Sequence, residues 1–150
     1  MAVHWRGRPL GAKSDFSIRI APVKLELAPG KIVETIGYNG TVPGPVLRMC
    51  EGKRVTVDIR NDTNIPELVH WHGQFVPPEV DGAEEEGTPL VPAHGSRGLA
   101  FVPRPSGTRW YHTHAEVKKK QRPQITKTRI DLNVRTALLA SGLTKTPAFS

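Results

Sequence analysis

Cysteine is almost missing from this chain: Cys50 is the only one in 150 residues. A lone thiol excludes an internal disulfide framework and any multi-cysteine zinc or iron–sulfur site. Long apolar runs are missing too. None approaches the roughly 20 residues that cross a membrane as a helix, so no membrane span is expected. The first ten residues, Met1 to Leu10, carry Arg6 and Arg8 but no continuous apolar stretch behind them. That is not the pattern of a secretory signal peptide, and the compartment stays open.

Charge of one sign is plentiful, but only at the ends. The chain has a net charge of +7 and a pI near 9.9, values that invite a nucleic-acid reading. Residues 116–150 hold eight Lys/Arg against two acids, and residues 1–14 add Arg6, Arg8 and Lys13. The middle, 15–115, has ten basic and twelve acidic residues and is slightly acidic. The basic end segment has no interleaved aromatics and no binding motif, so nucleic acid is not expected as a partner.

The middle also lacks helical periodicity. Phe16 to Ile20 and Val23 to Leu27 are short apolar runs separated by Ala21-Pro22, and Pro29-Gly30 marks a turn. Lys31 to Tyr38 continues with β-formers and stops at Asn39-Gly40. Pro43-Gly44-Pro45 then forces an irregular connection, because proline lacks a ladder donor. Val55, Val57 and Ile59 alternate with Arg54, Thr56, Asp58 and Arg60, the pattern of a half-buried strand. Residues 68–72, Arg97 to Val102 and Thr108 to His114 are further strand candidates. A polar loop with Pro77-Pro78, Asp81-Gly82 and Glu84-Glu85-Glu86 lies between the first two of these. Many short strands with Gly/Pro turns predict an all-β sandwich or barrel. After His114 the pattern changes to Lys118-Lys119-Lys120-Gln121-Arg122 and scattered apolar residues, where only Ala137 to Ala140 allows a short helical turn.

Four of the six histidines form two His-x-His pairs, His70-Trp71-His72 and His112-Thr113-His114. On a strand, residues i and i+2 project from one face, roughly 6–7 Å apart. Each pair therefore aims two imidazoles one way, with Trp71 and Thr113 aimed the other. Two such strands side by side bring four imidazoles to a shared cleft, a donor set suited to copper or zinc.

The ordered motifs Tyr38-Asn39-Gly40-Thr41-Val42-Pro43-Gly44-Pro45, Glu51-Gly52, His70-Trp71-His72-Gly73 and Trp110-Tyr111-His112-Thr113-His114 closely resemble the N-terminal, plastocyanin-like domain of multicopper oxidases, including laccases. The resemblance spans residues 15–115. It implies a cupredoxin-like Greek-key β-sandwich, here expected to be incomplete at its C-terminal end, with 1–14 as a flexible segment and 116–150 as a basic, disordered or non-native tail. It implies copper as the cofactor. His70 would bind the type 2 copper, and His72, His112 and His114 the paired type 3 coppers. Asp81, in an acid–glycine pair, resembles the family's proton-delivering acid, but its distance from His72 differs from that in many laccases, and a solvated loop acid is the reading expected here.

The resemblance further implies electron transfer from a donor substrate to dioxygen. This chain carries only half of the matching histidine set and no His-Cys-His motif for a type 1 copper. The expectation is a truncated form, inactive alone and completed by another cupredoxin domain or chain; the alternative is a non-catalytic copper-binding module. Relatives of this kind are periplasmic or secreted. Cys50 shares a strand face with Val46 and Arg48 and is expected to be an inert thiol. His94 and His4 are expected to be solvated.

Overall fold

Alternation in the sequence becomes two four-stranded sheets. The computed structural model describes residues 13–113 and 138–141. Within them lie β1 (Phe16–Ala28), β2 (Lys31–Tyr38), β3 (Leu47–Met49), β4 (Val55–Asn61), β5 (His70–His72), a helical turn α1 (Pro78–Asp81), β6 (Ser96–Phe101), β7 (Thr108–His112) and β8 (Leu138–Ser141). One sheet has the order β2-β1-β4-β6, the other β3-β8-β7-β5. Neighbouring strands are mostly not consecutive in sequence, so the chain crosses repeatedly between the sheets. The all-β expectation holds. Among the described residues no helix is long and apolar enough to cross a membrane.

The core lies between the sheets. Val55, Val57 and Ile59 are buried, as their alternation requires. They join Ile18, Ile20, Leu99 and Phe101 against Leu47, Met49, Trp71 and Tyr111 from the other sheet. Aromatic rings bridge the two layers: Trp71 sits 4.9 Å from Phe101, and Tyr38 5.1 Å from Tyr111. Such rings bury about 150–250 Å² each and dominate the energetics of a small sandwich.

Pro22 does not divide β1 as the sequence suggested. β1 pairs with β2 over most of its length, but its parallel register with β4 ends at Ile20↔Asn61. Among the described residues, β1 is paired on one side only from Pro22 onward, and a one-sided strand tolerates a residue without an N–H. The Pro43-Gly44-Pro45 connection packs across the Tyr38–Tyr111 pair. A Cβ on Gly44 would lie 2.8 Å from the Tyr38 Cβ, so only glycine fits. The Tyr111 hydroxyl donates to the Pro45 carbonyl at 2.8 Å, and burial pushes the phenol well above its ordinary pKa.

Two elements depart from the sequence expectation. The polar loop contains α1, because Pro78 suits the start of a helix and Gly82, at φ 85°, ends it in the left-handed region. Where the sequence allowed a helical turn near 137–140, Leu138–Ser141 forms β8, parallel to β3 and antiparallel to β7. Short apolar runs fit either state by periodicity, and backbone pairing on both sides selects the strand. These four residues belong to the segment expected to be a tail; its other residues lie outside the described ones.

Candidate metal centre

β5 and β7 are antiparallel neighbours in the register His70↔His112, Trp71↔Tyr111 and His72↔Trp110. That register sorts the side chains by face. Trp71 and Tyr111 are completely buried in the core. His70, His72, Trp110 and His112 share the other face.

His70, His72 and His112 each offer a ligand atom, and these atoms all lie within 4.8 Å of one another. The ring centroids are 5.2 to 5.6 Å apart. His70 and His112 are half-buried, and His72 is exposed. Trp110 stacks on His112 at 4.1 Å and leans on His72 at 4.3 Å, so an apolar ring braces two of the three imidazoles from the same face. His114, the fourth histidine of the sequence motifs, lies outside the described residues.

Backbone carbonyls set two of the tautomers. His70 Nδ1 is 2.9 Å from the Asp81 carbonyl, and His112 Nδ1 is 2.9 Å from the Thr113 carbonyl. A carbonyl only accepts, so each Nδ1 carries the proton and each Nε2 keeps a lone pair. An imidazole fixed in this way is prepared to bind a metal through Nε2. Three imidazoles with ligand atoms this close fit copper, whose preferred donors include them.

Asp81 is not a solvated loop acid. Its carboxylate Oδ2 lies 3.2 Å from His70 Nδ1, with only 21% of the side chain exposed. Gly82 makes this approach possible. A Cβ there would stand 2.0 Å from the Val69 carbonyl oxygen and 2.5 Å from the His70 Cα, so a larger residue would push α1 away from β5. Thr88 secures the same corner, accepting from the Gly82 amide at 3.0 Å and donating to the Pro78 carbonyl.

The turn after His72 is clamped from β7. Arg109 Nε donates to the Gly73 carbonyl at 3.1 Å, while its other nitrogens donate to the Thr108 and Ser106 carbonyls. Gly73 has φ 76°, and a Cβ would come within 3.0 Å of the Arg109 Cδ. The glycine of His-Trp-His-Gly thus serves a left-handed turn under a guanidinium.

The remaining sequence candidates lie elsewhere. His94 is exposed, with Nε2 2.8 Å from Asn64 Oδ1. Cys50 is exposed and, with Val46 and Arg48, faces away from buried Leu47 and Met49. Glu84, Glu85 and Glu86 are exposed. Sequence reasoning missed Glu67, which is completely buried and accepts from the Thr113 hydroxyl at 2.6 Å. The signal was available: Glu67 precedes Leu68 and Val69, so an acid stands at the head of an apolar pair leading into β5.

Comparison with known proteins identifies the family and the fold. Residues 19–131 match a family described as multicopper oxidase. The chain is 34% identical over 105 residues to copper resistance protein A of Pseudomonas syringae pv. tomato, covering 70% of this chain and 17% of that protein. It is 36% identical over 93 residues to the multicopper oxidase MmcO of Mycobacterium tuberculosis, covering 62% of this chain and 18% of that one. The chain thus spans less than a fifth of the length of either relative. Among solved structures, a multi-copper oxidase from Pseudomonas thermotolerans superposes with a TM-score of 0.72 at 25% identity, covering 91% of this chain and 32% of that one. Lac15 from a marine microbial metagenome gives 0.61 at 32% identity, covering 66% and 27%. The fold is the cupredoxin-type sandwich that the motifs implied.

Proposed function

The chain belongs to the multicopper oxidase family, and from that premise we propose that residues 15–115 form a plastocyanin-like domain contributing half of a trinuclear copper centre. His70 is the type 2 ligand in this reading, and His72, His112 and His114 are type 3 ligands. The other half comes from a second cupredoxin domain, on this or another polypeptide. Copper held there supplies one-electron redox chemistry for reducing dioxygen with electrons from a donor substrate.

This chain's own residues have simpler tasks. The Asp81 and Thr113 carbonyls orient His70 and His112, and Trp110 excludes water from one side of the ring cluster. Asp81 also keeps a partly exposed carboxylate beside His70, where it can exchange protons with solvent during oxygen reduction. The observation that carries the proposal is the convergence of three ligand atoms within 4.8 Å on adjacent strands.

A second reading is a copper-binding module without turnover. It is favoured by one observation: three imidazoles already suffice to hold a single ion with an open position.

Copper(II) titration of the purified chain, followed by electron paramagnetic resonance, tests the site. His70→Ala and His112→Ala are each expected to weaken binding by at least the roughly 10- to 100-fold typical of lost supporting contacts. Unchanged affinity in both would refute the assignment. Oxygen uptake with a phenolic donor bears on the second reading: neither reading expects it from the chain alone, and uptake would rule out a module without turnover.

A further inference from the structure

Glu67 stands outside every histidine motif, yet its surroundings connect it to the site. It is completely buried, three residues before His70. Its amide donates to the Val91 carbonyl at 3.0 Å, and its carbonyl accepts from the Val91 amide at 2.8 Å. This two-way bridge fixes the backbone of Glu67 just ahead of β5. Its Oε2 then accepts from Thr113 Oγ1 at 2.6 Å, at the short end of the hydroxyl hydrogen-bond range. Thr113 is the same residue whose carbonyl accepts the hydrogen bond from His112 Nδ1–H.

Burying a carboxyl is costly, and a well-packed apolar residue at such a site is often neutral or better for stability. Leu68, Val69 and Trp71, which follow it, are buried in the ordinary apolar way. Packing alone therefore gives no reason for an acid at 67.

We infer that Glu67 is a positioning residue: by holding the Thr113 hydroxyl, it fixes the Thr113 peptide against His112 Nδ1 and so aims His112 Nε2 into the metal site. The two half-buried imidazoles are then supported alike. Asp81 braces His70 directly, and Glu67 braces His112 through Thr113. The inference rests on the copper reading of the site, but its test does not depend on copper alone.

The full chain is compared with Thr113→Val, Glu67→Ala, Glu67→Gln and Thr113→Ser. Nitrogen NMR of the imidazole rings in the metal-free protein reads the tautomers, and competition with a chelator reads copper(II) affinity. Thr113→Val and Glu67→Ala are expected to turn His112 from a single Nδ1–H form into a mixture and to weaken copper(II) binding about tenfold. His70, held by Asp81, should keep its tautomer in both. Glu67→Gln and Thr113→Ser retain an acceptor and a hydroxyl respectively, and both should behave as the parent.

A folded Thr113→Val protein with unchanged His112 tautomer and copper affinity overturns the inference. So does a Glu67→Gln protein as damaged as Glu67→Ala, which would mean that charge matters and the hydrogen bond does not. If Thr113→Val or Glu67→Ala fails to fold, the two conservative variants decide, because loss of the His112 tautomer in either contradicts the inference and retention in both supports it. A parent chain that binds no copper(II) would remove the copper reading and leave the tautomer comparison standing.

Discussion

The two faces of the β5–β7 ribbon are built from alternate residues of the same two short strands and do opposite things. On the inner face Trp71 and Tyr111 are completely buried and join the sheets through Phe101 and Tyr38. On the outer face His70, His72 and His112 gather ligand atoms within 4.8 Å. A period of two makes both faces available to one short ribbon, so fully buried core residues lie directly behind the site. The lesson is about precision: the imidazoles inherit their spacing from strands that cannot shift without disturbing the core.

Mutations on the two faces should therefore separate stability from binding. The largest effect belongs to the inner face. Trp71→Ala is expected to cost about 3–5 kcal/mol of unfolding free energy in denaturant titration. His72→Ala, on the exposed outer face, should stay within about 0.5 kcal/mol. Equal losses would break the division between the faces.

Gly82 sits where α1 meets the edge of the ribbon. Gly82→Ala should destabilise by about 1–3 kcal/mol, because its Cβ has no room against Val69 and the backbone must move. It should also lower copper(II) affinity, since Asp81 is carried away from His70. Loss of stability with full affinity would show that the Asp81 brace is dispensable.

The smallest effect lies just past the end of β4, a strand of the sheet that does not carry the histidines. Hydrogen bonds from Arg19, then Arg60, hold the Asp62 carboxyl below its ordinary pKa of 3.8. A depressed folded-state value means that the contribution is present above the unfolded pKa and is lost as pH falls through the folded one. Asp62→Asn should thus reduce stability slightly near neutral pH and flatten its decline below about pH 4, as followed by thermal unfolding. Copper(II) affinity at neutral pH should not change. A change would mean that the two sheets are coupled more tightly than their separate roles suggest.

Much of this was legible before any coordinates. Val55, Val57 and Ile59 announced a half-buried strand, and it is one. His70, His72 and His112 were named from spacing and motif, and the fold gathers them. Other features resisted for identifiable reasons. Pro22 looked like a break because one-sided pairing cannot be seen in a linear sequence. Asp81 looked solvated because its approach to His70 depends on a close backbone contact at Gly82, eleven and twelve residues downstream of that histidine. Glu67 went unread because its partner, Thr113, is 46 residues away.

By itself, then, the sequence determined the all-β class, the metal-type chemistry and the family, since these rest on local periodicity and on residue types at short spacing. Only the tertiary structure decided the β5–β7 register that sets His70 opposite His112, the tautomers imposed by the Asp81 and Thr113 carbonyls, and the place of Glu67 behind them. The register and the place of Glu67 depend on contacts between segments distant in the chain, and the two carbonyl contacts on local backbone geometry; a strand's periodicity fixes which way a side chain points without fixing what it meets.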